Sequence, residues 1–162
     1  MTDLQRLFLV LADHRVDFII VGGVAATLHG SARVTRDLDI VYARTPQNLA
    51  RLVAALRNHH PYLRGAPPGL PFSWDEETLW SGLNFTLETD LGNLDLLGEI
   101  TGGGGYDDLH PHSIEVEAFG VRFRCLDLDT LIRVKLAAGR PRDLEVVAEL
   151  RVIREEREKQ AF

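Results

Sequence analysis

Phe18-Ile19-Ile20-Val21 is an uninterrupted apolar run rich in β-branched residues, and Gly22-Gly23 ends it at once. Such a run is too short for a stable helix and reads as a buried strand. The spacing predicts a helix from about Val24 to His29, halted by Gly30-Ser31. A second strand follows over Asp37-Leu38-Asp39-Ile40-Val41-Tyr42, where polar and apolar residues alternate. Period two puts Asp37 and Asp39 on one face, and two carboxylates held that way repel each other. Hard oxygen ligands in this pattern suit magnesium or manganese. Asp95, in the short strand Leu94-Asp95-Leu96-Leu97, would complete a set of three. The residues alone leave a second reading open: Asp37 as a turn cap, with Asp39 and Asp95 as solvent-facing acids. The glycine pair is equally divided between a plain tight turn and a turn whose backbone N–H groups approach phosphate oxygens at a helix start.

The remaining chain predicts mixed α and β structure. Leu4, Leu7, Phe8 and Leu11 form a helical stripe ending near His14, and Thr45-Pro46 opens a helix carrying Leu49, Leu52, Val53 and Leu56. From Pro61 to Ser81, glycines and prolines interrupt regular structure, as in a loop over a site. A strand is expected over Leu83–Glu88, a turn over Thr89–Asn93, a flexible loop over Gly98–Gly105, and a hairpin of 114–117 with 121–125. Helices follow from Asp127 and again from about Leu144, parted by Gly139-Arg140-Pro141. The chain has 18 Lys plus Arg against 24 Asp plus Glu, a net charge of −6, which argues against a broad nucleic-acid-coating surface. Only Lys135 and Lys159 are lysines, so 16 of the 18 basic residues are arginines. The single cysteine, Cys125, excludes an internal disulfide and a multi-cysteine zinc site. No membrane-length apolar run or signal-like start is present, so the expected location is cytoplasmic.

Taken together, Gly22-Gly23-x-Ala25, His29-Gly30, Arg33 and Thr35-Arg36-Asp37-Leu38-Asp39-Ile40 resemble the active-site signature of the DNA polymerase beta-like nucleotidyltransferase superfamily. The likeness is greatest to its small bacterial branch, the minimal nucleotidyltransferases and the abortive-infection toxins of type IV toxin-antitoxin pairs. Lys135 followed by Arg140-Pro141-Arg142-Asp143-Leu144 is similar to a motif of the toxin-like branch. The resemblance implies an α+β fold: a short mixed β-sheet flanked by helices, one domain over 1–162, with 127–162 a helical C-terminal portion closing a nucleotide cleft. It implies that Gly22 and Gly23 hold a triphosphate, that Asp37, Asp39 and Asp95 bind Mg2+ or Mn2+, and that Lys135 and Asp143 serve the nucleotide. Arg33 and Arg36 stand just before the acid strand, where a guanidinium, Arg36 by preference, would either neutralise phosphate or pair with Asp37 and Asp39. Gly-Gly stands where the family usually has Gly-Ser, removing one hydroxyl that would bond phosphate.

The implied reaction is metal-dependent transfer of a nucleoside monophosphate from a nucleoside triphosphate to an acceptor, with release of pyrophosphate. The acceptor is open among a small molecule, a protein and a tRNA end. Two alternatives stand beside this one: an RNA-modifying toxin with a separately encoded antitoxin, and a catalytically silent nucleotide- or protein-binding module. Among other residues, Trp74, Trp80 and Tyr106 fit either base stacking or hydrophobic lids. His29 fits a packing role as well as a site role. His59-His60 and His110-x-His112 lack a zinc ligand pattern.

Overall fold

The computed structural model describes residues 2–161. Helix α1 (Leu4–Asp13) is capped by Asp3, whose carboxylate accepts from the Arg6 N–H at 3.1 Å, and it buries Leu7, Phe8 and Leu11. Strand β1 (Phe18–Val21) is buried throughout, as its unbroken apolar run requires. Helix α2 (Gly22–Leu28) starts directly on Gly22, two residues earlier than periodicity suggests. Gly22 adopts φ +70°, a conformation that side-chain-bearing residues avoid, and this lets strand pass into helix with no linker. Strand β2 (Asp37–Tyr42) and helix α3 (Pro46–Leu56) follow as expected, with Thr45 accepting from Asn48 N–H at the cap.

The region from Pro61 to Ser81 is more ordered than its prolines imply. It contains β3 (Tyr62–Leu63) and α4 (Glu76–Ser81), the latter capped by Asp75. Strands β4 (Phe85–Thr89) and β5 (Gly92–Leu97) form a tight antiparallel pair, so Asn93 lies in a strand and not in the expected turn. The glycine-rich stretch is also a correction: β6 (Glu99–Ile100) and β7 (Gly104–Gly105) pair into a small ribbon, where the sequence suggested only a flexible loop. After the short helix α5 (Tyr106–Leu109) comes the hairpin of β8 (Ser113–Ala118) and β9 (Val121–Leu126), turning through Phe119-Gly120. Helices α6 (Leu128–Ala138) and α7 (Pro141–Gln160) end the described chain; α7 begins at Pro141, a favoured first-turn position, ahead of the expected Leu144.

The main sheet has seven strands in the order β3-β4-β5-β2-β1-β9-β8. It is mixed: β2 runs antiparallel to β1 but parallel to β5, and β1 runs parallel to β9. The fold is therefore α+β, a short mixed sheet flanked by helices with a helical C-terminal region. Ile19, Ile20, Leu38, Ile40, Leu94 and Leu96 lie at its core with no exposed surface.

Buried polar contacts fix this arrangement. Asn48 donates to Asp17 O at 3.0 Å and Ala43 O at 2.8 Å, and accepts from Asp17 N–H at 2.7 Å, tying α3 to the chain beside β1 and β2. His29 contacts Leu126 O through Nε2 at 2.7 Å and receives Arg157 Nη2 at Nδ1 at 3.2 Å. That pairing fits the neutral ring protonated at Nε2. Burial, the largest influence, lowers the His29 pKa. Glu149 of α7 accepts from Ser31 Oγ at 2.6 Å and Ala32 N–H at 3.1 Å. Helix α7 is thus held on the segment between α2 and β2. Among the described residues no helix is long and apolar enough to cross a membrane.

Candidate active site

Parallel pairing of β2 with β5 brings Asp39 opposite Asp95 and Asp37 opposite Asn93. The three carboxylates line a cleft of about 700 Å³, with Gly22 and Gly23 at the start of α2 and Lys135, Arg140, Arg142 and Asp143 on the helical side. Close contact with Asp39 requires glycine at position 22: a Cβ there would run into the Asp39 carboxylate. At Gly23 a Cβ would meet Thr35 Oγ1 at 2.8 Å, so the turn is closely covered on that side as well.

Each carboxylate has a different environment. Asp37 accepts from Asn93 Nδ2 at 3.0 Å, and Asp95 accepts from Arg64 Nη2 at 2.8 Å. Asp39 Oδ1 is buried without a hydrogen-bond partner, an arrangement that an isolated carboxylate tolerates poorly. Burial first, then the neighbouring carboxylates of Asp95 and Asp37, push the Asp39 pKa up to about 7, with Lys135 opposing. An orphaned carboxylate oxygen beside two further carboxylates fits a hard divalent cation. Among the described residues, however, no set of three or more His, Cys, Asp or Glu side chains converges as a metal cage. The Arg64 guanidinium reaches both Asp95 and, at 3.8 Å, Asp37.

The opposite wall is organised by Asp143. Its carboxylate accepts from Arg140 Nε at 2.7 Å, from Arg140 Nη2 at 3.2 Å and from the Arg140 backbone N–H at 3.3 Å, and it lies 3.9 Å from Lys135 Nζ. Burial raises the Asp143 pKa, but the bonds from Arg140 and the charge of Lys135 outweigh it and hold the carboxyl below its usual range. Burial lowers the Lys135 pKa, opposed by the charges of Asp143 and Asp39. Asp143 therefore braces the cationic wall and caps α7 through its third residue.

Seven of the eight site residues named from sequence line this one cleft: Gly22, Gly23, Asp37, Asp39, Asp95, Lys135 and Asp143. Arg36 does not; its side chain is exposed, and Arg33 lines the cleft instead, 3.4 Å from Glu145. Tyr106 lines a separate cleft of about 450 Å³ with His110 and Arg124. Trp74 donates to Val53 O at 3.0 Å, and Trp80 is exposed beside Arg44, so neither tryptophan lines the carboxylate cleft. Sequence reasoning missed Arg64 and Asn93. Arg64 was hidden in a stretch read as loop, whereas Asn93 lies two residues before Asp95, a spacing that marks a shared strand face once the strand's true start is known. His59 and His60 each place Nδ1 on Asp90, at 2.9 and 3.3 Å, away from the cleft.

No family model matches the sequence, and no curated protein matches it. Solved structures do share the fold. A lincosamide antibiotic adenylyltransferase with lincomycin bound has a TM-score of 0.59 at 15% identity, over 94% of this chain and 98% of its own. A protein from Thermotoga maritima, described as a candidate nucleotidyltransferase, has a TM-score of 0.57 at 17% identity, over 90% and 88%. The antibiotic-resistance factor ANT(2'')-Ia in complex with adenylyl-2''-tobramycin has a TM-score of 0.53 at 14% identity, over 98% and 97%. At these identities the likeness is one of fold. The shared α+β architecture spans between 88% and 98% of each chain.

Proposed function

We propose that this protein is a metal-dependent nucleotidyltransferase, moving a nucleoside monophosphate from a nucleoside triphosphate to an acceptor hydroxyl with release of pyrophosphate. The observation carrying this reading is the register of Asp39 against Asp95 in a cleft faced by Lys135, Arg140 and Arg142. Carboxylates on one wall and cations on the other suit a polyphosphate whose metal-facing and free oxygens need different partners. Asp37, Asp39 and Asp95 would hold magnesium or manganese, which when bound neutralises phosphate charge and lowers the proton affinity of the attacking hydroxyl. The Gly22-Gly23 turn, which lines the cleft at the start of α2, would offer backbone N–H groups to a phosphate. Lys135 offsets charge on the leaving pyrophosphate, and Asp143 keeps that lysine and Arg140 in place. Asp95, at the acceptor side, orients the incoming hydroxyl.

The acceptor favoured here is a small hydroxylated molecule. Asn84, Glu99 and Thr101, which also line the cleft, are polar but not basic. The net charge of −6 also disfavours a long RNA, as an RNA-modifying toxin with a separate antitoxin would need. Two of the structures sharing the fold bear names that join adenylyl transfer to antibiotics, which agrees with a small acceptor. Pyrophosphate release from each nucleoside triphosphate, measured with magnesium and a panel of amino sugars, polyols and tRNA, tests the reading. Acceptor-dependent release that Asp39→Asn abolishes supports it. Nucleotide binding without any release across the panel supports the silent binding module.

A further inference from the structure

We infer that Arg64 is a built-in counter-cation of the carboxylate site, standing between Asp37 and Asp95 and competing there with a divalent cation. This rests on the metal-dependent reading above. Among the described residues, Arg64 is the one cation within ion-pair distance of any of the three carboxylates, at 2.8 Å from Asp95 and 3.8 Å from Asp37. Asp39 lacks such a partner and keeps its orphaned oxygen. The same Arg64 Nη2 also donates to Leu87 O at 2.7 Å, while Arg64 Nε is buried without an acceptor. The guanidinium is therefore an incomplete fit: its single positive charge offsets only one of the two negative charges, and it leaves one of its own donors unpaired.

The backbone supplies a pivot. The Arg64 N–H donates to Thr86 O at 2.9 Å, which fixes the main chain against β4. Directly afterwards Gly65 adopts φ +78°, and residues 64–75 contain no helix or strand. The arginine thus has a fixed root and a long side chain at the edge of an irregular segment. A divalent ion held by these carboxylates would put two further positive charges beside the guanidinium, so the two cations would disfavour each other there. In this arrangement Arg64 stabilises the metal-free protein and sets a threshold that metal must exceed.

Calorimetric titration of Mn2+ alone into the full chain tests this, with Arg64→Gln, Arg64→Lys and Asp39→Asn as variants. Arg64→Gln is expected to bind Mn2+ about tenfold more tightly than the wild type. Its metal-free Tm should fall by several degrees and recover at saturating Mn2+. Arg64→Lys, which keeps the charge but loses the fork, should lie between the two. Equal or weaker binding by a cooperatively melting Arg64→Gln protein overturns the proposal and makes Arg64 a brace for Asp95. If Arg64→Gln does not fold, the same comparison is made with Arg64→Lys, where equal or weaker binding is again the overturning result. Absence of Mn2+ binding in the wild type and in every variant removes the metal reading itself, a distinct failure that takes this proposal with it.

Discussion

At Asp39, burial and the carboxylates of Asp95 and Asp37 raise the proton affinity until the pKa is about 7. An acid whose folded pKa exceeds its unfolded value binds more protons when folded, so its contribution to stability declines as pH rises from about 4 to 7. Asp39→Asn removes the charged form and should stabilise the metal-free protein at pH 7 by roughly 2 kcal/mol. For a chain of this length that is a rise in Tm of about 4–8 °C, read by thermal melting in EDTA. The same substitution should abolish the proposed nucleotidyl transfer, a gain in stability with loss of activity that a merely structural aspartate would not show. Gly22→Ala is expected to act in the opposite direction. Its φ of +70° and the Cβ collision with Asp39 should cost about 2 kcal/mol or more, measured by urea unfolding.

Between elements, the joint of α6 and α7 depends on Asp143, which is almost fully buried and faces Lys135 and Arg140. Asp143→Ala leaves the Lys135 ammonium partly buried without its partner and should cost about 3 kcal/mol. Arg140→Ala, whose side chain is more than half exposed, should cost about 1 kcal/mol or less. Denaturant midpoints of the two variants test that asymmetry. Part of this element was legible in the sequence: Gly139 ends α6 as expected, whereas Pro141, expected only to part the two helices, opens α7 and so brings Asp143 into its first turn. The strands bearing Asp37, Asp39 and Asp95 were legible for the same reason, because period two is a local signal. Register is not local. Nothing near Asp95 announces that it lies opposite Asp39, and nothing near Arg64 shows that it reaches across β4 to β5. The β6–β7 ribbon was hidden by glycines, which lower strand propensity without forbidding a two-residue pairing.

For the whole molecule, two buried groups give opposing pH dependences. The folded-state pKa of His29 is lowered, so the unfolded chain binds more protons below about pH 6.5 and stability is lost as pH falls through that region. Asp39 has the opposite slope between pH 4 and 7. In the metal-free wild type the two partly cancel, whereas Asp39→Asn should show stability that rises steadily from pH 5 to 7, as melting across that range would reveal. The long contacts closing the molecule, His29 to Leu126 and Arg157 and Ser31 to Glu149, join residues about 100 or more positions apart, beyond the reach of any local pattern. They hold the cationic wall of α6 and α7 across the cleft from the carboxylate wall of β2 and β5, where the proposed metal-nucleotide complex would bind. Calorimetric binding of each nucleoside triphosphate, with and without magnesium, to the wild type and to the Asp37→Asn, Asp39→Asn double variant is the most direct test. Magnesium-dependent binding by the wild type, lost in a double variant that still melts cooperatively, is the predicted result; binding of equal strength to both proteins would contradict it.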